Sequence, residues 1–300
     1  MASTSESNSI VSFDDEPDDV QTSEDEEEIE GVNGFENLSN TCYLNCIFQV
    51  LTRTTSLVDF YRNNKYKLLL TDANKTNLSD KFQKLVAIQH TNAGVTISPK
   101  GIVDWMHMNM EEDMYRQQDC HEILIKFLDI LQTELCNYKT PFQGVYASTL
   151  ACSTCERQST INEVNNTLIL DVRQTDEPIY LHDCINSFFT DETISCCRKK
   201  YDIIDPPLAL MILLKRFVSS DGKIEKVMST VEYPDKLILR DRSYTLYSVI
   251  SHHGKTISRG HYTSICRVKD KIYHFDDEDW KEVGSFASPS AYMLFYHKDE

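Results

Sequence analysis

The sequence predicts an α+β fold, on three observations. Apolar residues recur at helical spacing up to about residue 135, and strand-like runs take over from about residue 142. Helices first and strands later is the order of an α+β domain rather than of alternating βα units. With 300 residues, 41% hydrophobic and 10% aromatic, the chain is large enough to bury a substantial core.

The first 31 residues stand apart. They carry 12 acids and no Lys or Arg, so the net charge of −17 becomes 35 acids against 30 bases, or −5, for the remainder. Self-repulsion and few apolar groups predict a solvated, disordered acidic tail over 1–31, with one globular domain over 32–300. One cluster interrupts the acids: Ile10-Val11-Ser12-Phe13 followed by Asp14-Asp15-Glu16. An apolar tetrad beside acids can add as a strand to a partner's sheet edge, and it resembles a SUMO-interacting motif; a chance apolar cluster is the plainer reading. Ser23 before Glu24-Asp25-Glu26 offers an acidic context for phosphorylation.

Within the body, Leu44, Ile47, Phe48 and Leu51 share one face of a helix opening near Cys42. Further helical patterns run through Leu78–His90, Pro99–Met110, His121–Leu135 and Leu181–Phe189. Residues 142–172 alternate as strands do. Strand-like runs follow at Leu208–Phe217, Leu246–Ser251, His261–Val268, Lys271–Phe275 and Tyr292–His297. No run reaches the ~20 apolar residues of a membrane span, and no basic-then-apolar leader opens the chain. A cytoplasmic or nuclear location is therefore expected, where ten cysteines serve catalysis, metal binding or packing rather than bridges. The mildly acidic body argues against nucleic acid as a partner, and nothing points away from a monomer.

Three groups of residues carry possible chemistry. In Asn40-Thr41-Cys42-Tyr43 the thiol meets the first turn of a helix, where the macrodipole favours thiolate. In Arg259-Gly260-His261-Tyr262, Gly permits close backbone approach to a substrate and His can take a thiol proton at neutral pH. Phe275-Asp276-Asp277 ends the following strand. If those two strands pair, Asp276 reaches the imidazole and completes the logic of an activated nucleophile.

Together these motifs resemble the ubiquitin-specific proteases. Residues 34–49, from Gly34 to Gln49, resemble that family's cysteine box, and Gln117-Gln118-Asp119-Cys120-His121-Glu122 its glutamine–aspartate segment. Leu213-Leu214-Lys215-Arg216-Phe217 is similar to its central strand, and His252-His253-Gly254, Gly260-His261-Tyr262 and Phe275-Asp276-Asp277 to its histidine box. The resemblance implies a papain-like cysteine protease fold with thumb, palm and fingers, and a deubiquitinase that cuts after ubiquitin's C-terminal glycine without a catalytic cofactor. By it, Cys42 is the nucleophile, His261 its base, Asp276 the orienting carboxylate with Asp277 in support, and Asn37 an oxyanion donor. Asp119 meets the arginine-bearing tail of ubiquitin, although it also suits a helix cap. His252 and Gly260 lie where substrate contacts are expected, while His253 reads as solvated.

The sequence departs from that pattern in places. Ser39 stands where the family usually has Gly, and Cys46 where it usually has Ser. The stretch between Cys155 and Leu213 is short, implying a short-fingered core. Cys152-Ser153-Thr154-Cys155 has the spacing of half a zinc site, but the second pair, Cys196-Cys197, is adjacent. Neighbouring strand side chains point to opposite faces, so both can join one tetrahedron only through a distorted turn. Structural zinc and a metal-free finger both stay open. Cys120, Cys136, Cys184 and Cys266 read as core. Two other functions remain in view: a protease for another ubiquitin-like modifier, and a catalytically silent ubiquitin-binding module.

Overall fold

A computed structural model describes residues 10–12, 31–71, 77–220, 223–256 and 259–299. The chain divides into two compact units, one of residues 1–138 with 261–284 and the other of residues 139–260 with 285–300.

In the first unit, strands β1 (Ile10–Val11) and β2 (Gly34–Phe35) both pair in parallel with β3 (Thr96–Ile97), in the order β1-β3-β2. Helix α1 (Cys42–Leu51) is the centre of this unit, and all ten of its residues are buried. A helix buried on every side needs apolar partners all round. Phe48 finds them in Phe35 and Phe127, both edge-on with ring centroids 5.9 and 6.5 Å away. Around α1 lie α2 (Thr55–Arg62), α3 (Leu78–Thr91), α4 (Lys100–Asn109) and α5 (Cys120–Glu134). Helix α3 starts where Asn77 accepts from the Asp80 N–H at 2.7 Å, and the Glu134 carboxylate accepts from the N–H groups of Leu78 and Ser79. These contacts satisfy donors that a first turn leaves unpaired, and they place negative charge at the positive helix end.

The second unit holds the rest of the sheet structure. Strands β4 (Gly144–Cys152), β5 (Gln158–Asn165), β8 (Glu192–Ile194) and β9 (Cys197–Asp205) form an antiparallel finger sheet in the order β5-β4-β9-β8. Between them in sequence come β6 (Leu168–Asp171), β7 (Ile179–Tyr180) and α6 (Leu181–Phe189). The palm is built on β10 (Ala209–Lys215), buried in every residue but Lys215. That continuous apolar run suits a strand covered on both faces. It pairs in parallel with β6 and antiparallel with the last strand, Ala291–Lys298, which in turn pairs with Arg242–Thr256. Arg216, 1% exposed, follows β10 and donates to the carbonyls of Ala291, Val227 and Ser229. A hairpin of β11 (Phe217–Ser220) and β12 (Lys223–Lys226) comes next, and β13 (Val231–Glu232) pairs with β7. β14 (Lys236–Leu239) pairs with β15 (Arg242–Thr256).

The chain re-enters the first unit at His261, within β16 (Arg259–Val268), and continues through β17 (Lys271–Asp276) and β18 (Asp279–Val283). β16 and β17 pair antiparallel, Ser264 opposite Phe275, which meets the condition for Asp276 to reach the imidazole. Cys266, Val268, Tyr273 and Phe275 bury a small core with Val32, and Trp280 packs against it.

Two expectations change. Ile10 and Val11, assigned to a solvated tail, form β1, because the exposed edge of β3 accepts an extended apolar pair; most of 1–31, with Phe13 and Ser23, lies outside the described residues. Cys136, assigned to the core, is exposed just past the end of α5.

Candidate active site

Cys42 is the first helical residue of α1 and is 2% exposed. Its thiol is near enough to the imidazole of His261 to raise that ring's pKa. On the far side of the ring, His261 Nε2 lies 2.5 Å from Asp276 Oδ1. The Cys42 contact, then the Asp276 contact, raise the His261 pKa from 6.5 to about 9, against the lowering effect of burial. An imidazolium at neutral pH is the partner a nucleophilic thiolate requires. All three residues belong to the first unit.

The segment before α1 is folded tightly. Ser39 and Asn40 have φ of 79° and 53°, the left-handed region that a side chain disfavours. Ser39 therefore occupies the backbone conformation for which glycine is suited. Asn37 Oδ1 accepts from the Thr41 N–H at 3.2 Å, and Thr41 Oγ1 accepts from the Leu38 N–H at 2.9 Å. These bonds fix Asn37 five residues ahead of the nucleophile.

Asp277 does not sit idle behind Asp276. Its Oδ2 accepts from Asn37 Nδ2 at 2.6 Å and its Oδ1 from Asn45 Nδ2 at 2.8 Å. Burial pushes the Asp277 carboxyl up, and the two amides pull against that. Asn45 also donates to the carbonyls of Phe35 and Glu36, so α1, β2 and the β17–β18 turn meet at one amide. Asn45 and Gln117 are site residues to which the sequence assigned no role. Gln117 Nε2 lies 3.7 Å from Cys42 Sγ, a weak donor contact to the sulfur. Both fall within quoted motifs, but an amide carries no charge or spacing signal that marks it before the fold is known.

Asp119 caps α5, its Oδ1 accepting from the Glu122 N–H at 3.0 Å. In the second unit, His252 is fully buried rather than presented to a substrate. Its ring lies edge-on to Phe217, and its Nδ1 is 2.9 Å from Lys226 Nζ, which also donates to the carbonyls of His252 and Gly254. Gly260 explains the burial: a Cβ there would stand 2.1 Å from His252 Nε2. His252 and Gly260 thus pack against each other, so the His252 side chain is not exposed. His253 is exposed, as expected.

Three of the four finger cysteines converge, and Cys155 falls outside their group. Cys152 and Cys196 sulfurs are 3.6 Å apart, Cys196 and Cys197 sulfurs 3.9 Å, and all three fall within 4.8 Å of one another. The distorted turn is present: Ser195 has φ of 56°, which brings adjacent cysteines to one side. Around a tetrahedral ion with ~2.3 Å metal–sulfur bonds, neighbouring sulfurs stand ~3.8 Å apart, so the spacing fits zinc. The N–H groups of Cys155 and Thr154, with the Cys155 and Cys196 side chains, bring Cys152 down to about 6. Cys197 moves up to about 11, because Cys196 competes for the same charge. Cys184 is buried in α6, away from this role.

A family model described as ubiquitin carboxyl-terminal hydrolase matches residues 33–296. The chain belongs to that family. Mouse ubiquitin carboxyl-terminal hydrolase 51 is 27% identical over 90% of this chain and 51% of its own length. Ubiquitin carboxyl-terminal hydrolase 20 of Arabidopsis thaliana is 28% identical over 91% of this chain and 44% of its own length. The chain thus spans about half the length of these relatives. Among solved structures, the SAGA Ubp8/Sgf11/Sus1/Sgf73 DUB module bound to ubiquitin aldehyde superposes with a TM-score of 0.78 at 20% identity, over 91% of this chain and 71% of that one. That likeness shows the fold, a papain-like protease of the ubiquitin carboxyl-terminal hydrolase kind. Among the described residues no helix is long and apolar enough to cross a membrane.

Proposed function

We propose that the chain is a thiol-dependent deubiquitinase that hydrolyses the isopeptide or peptide bond after ubiquitin's C-terminal glycine. The observation that carries this is the His261–Asp276 pair acting with Cys42 at the start of α1, beside an amide fixed five residues upstream of that thiol. Cys42 Sγ attacks the glycine carbonyl carbon, and the carbonyl electrons move to oxygen. One Asn37 amide hydrogen serves Asp277; the second, with the Cys42 N–H at the start of α1, receives the oxyanion. His261 then gives its proton to the leaving lysine nitrogen as the C–N bond breaks, leaving a thioester. Water attacks the thioester with His261 as base, and thiolate and carboxylate separate. Asp276 holds the ring throughout.

Asp119 and Gly260 are the proposed contacts of ubiquitin's tail. Asp119 also caps α5 through Oδ1, and a charge-assisted pair with arginine is its proposed contact. In the fingers, Cys152, Cys155, Cys196 and Cys197 are the proposed ligands of one zinc ion, which supplies cross-linking of two short turns and no catalysis. The relatives and the SAGA module lend ubiquitin as the modifier. A SUMO interaction through Ile10–Val11 would add a strand at the outer edge of β1, the edge opposite β3.

The test is reaction of the purified chain with ubiquitin, SUMO and NEDD8 bearing C-terminal electrophiles. Ubiquitin labels wild type and fails on Cys42→Ala. Labelling by SUMO or NEDD8 alone assigns another modifier, and tight ubiquitin binding without labelling assigns a silent module.

A further inference from the structure

The turn Asp277-Glu278 joins β17 to β18, and it is docked on β2 rather than left in solvent. Gly34 makes that docking possible: a Cβ on it would lie 2.2 Å from the Glu278 carbonyl oxygen. One residue on, the Phe35 N–H donates to the Asp277 carbonyl at 2.9 Å. Two residues further, the Asn37 N–H donates to Glu278 Oε1 at 2.6 Å, while its side-chain amide donates to Asp277. Asn37 is therefore held by its backbone and its side chain, each through a different carboxylate of the same turn.

We infer that Glu278 is a positioning residue for the oxyanion: its carboxylate fixes the Asn37 backbone and so aims the Asn37 amide. The inference rests on Asn37 acting as the oxyanion donor in the reaction proposed above. The physical case is geometric. Asp277 fixes one end of the Asn37 side chain, but an amide pivots about its Cα unless the main chain is also held. The neighbouring main chain is held on either side, the Glu36 N–H by the Ile97 carbonyl and the Leu38 N–H by Thr41 Oγ1, but the Asn37 N–H itself is held by Glu278. Glu278 supplies the only side-chain acceptor for the Asn37 N–H among the described contacts. Catalytic donors must hold position closely, since a displacement of ~1 Å can reduce rate by up to ~10²-fold.

Three variants of the full chain test this with a fluorogenic ubiquitin substrate. Glu278→Ala lowers kcat by roughly 10-fold or more. Glu278→Gln, which keeps an acceptor oxygen and loses the charge, stays within about threefold of wild type. On an Asn37→Ala background the Glu278→Ala effect disappears, because there is no donor left to aim. Ubiquitin affinity, measured on the Cys42→Ala background, does not change, nor does the alkaline limb of the pH profile. Wild-type kcat in Glu278→Ala overturns the inference. So does an equal loss in Gln and Ala, which would make the charge the active property, or full additivity with Asn37→Ala, which would make the residue structural. If wild type itself turns over no ubiquitin, the enzymatic reading falls first and this inference with it; an active wild type with an indifferent Glu278 removes the inference alone.

Discussion

Asn37 and Asp277 lie 240 positions apart in the chain and are joined by a 2.6 Å hydrogen bond. The second aspartate of the Asp276-Asp277 pair is thereby tied to Asn37 and the first to the imidazole of His261. Two adjacent carboxylates have different duties because one ends a strand and the other turns, with Asp277 at φ of 54°.

Those duties separate in mutants. Asp276→Ala leaves His261 unoriented and lowers kcat by about 10²–10⁴-fold. Asp277→Ala releases two amides and lowers kcat by roughly 10- to 100-fold, with loss of stability of about 1–3 kcal/mol per donor left buried and unpaired. Steady-state kinetics and thermal melts of both variants check this. Equal kcat losses with an unchanged Tm in Asp277→Ala would show that Asp277 merely substitutes for its neighbour.

The raised His261 pKa sets the alkaline limit. The imidazolium persists until about pH 9, so kcat/KM of the free enzyme falls as pH passes that value. Asp276→Asn removes one of the groups holding the value up and moves the limb to lower pH. For stability the sign is the same. The contribution of this pair is full below about 6.5, the ordinary value, and is lost as pH rises through about 9. A pH–rate profile and a pH series of melts read both.

Ser39 carries strain that glycine would not. Relief of left-handed strain of about 1–2 kcal/mol is partly offset by the freer unfolded chain of glycine, about 0.4–1 kcal/mol. Ser39→Gly is therefore expected to stabilise by up to about 1 kcal/mol and to leave kcat within a few-fold. A lowered Tm would show that the Ser39 side chain, not its backbone, matters.

The finger site is checked by elemental analysis. One equivalent of zinc is expected in wild type and none in a Cys152→Ser, Cys196→Ser double variant. Chelation should lower Tm without preventing labelling of Cys42 by a small thiol reagent. A metal-free wild type, purified with zinc present, would remove the metal.

Ser98 reports on the tail. Its N–H donates to the Val11 carbonyl at 3.1 Å, so removing residues 1–12 opens the β3 edge and speeds hydrogen exchange at Ser98. Unchanged exchange would show that β1 contributes no protection.

Much of this was legible before any coordinates. The stripe Leu44, Ile47, Phe48 and Leu51 gave α1, because a helical period survives without knowledge of partners. The pairing of β16 with β17, and with it the reach of Asp276, followed from two apolar runs separated by a short turn. Short parallel strands were not legible: β2 and β3 have two residues each, too few for any period, and their partners lie about 60 positions away. Asn45 was hidden for a similar reason, since its role depends on Asp277 arriving from 232 positions downstream. The burial of His252 was hidden because it depends on the missing side chain of Gly260, which no periodicity marks.

Lys226 carries a practical consequence. Its amine is shared among two carbonyls and an imidazole, and desolvation brings it down to about 8. At mildly alkaline pH a sizeable fraction is neutral and open to acylation by succinimidyl dyes or biotin esters. An acylated nitrogen keeps a single hydrogen and cannot serve both carbonyls, so amine-directed tagging would loosen the strand end at His252–Gly254. Tags are better attached through the exposed thiol of Cys136.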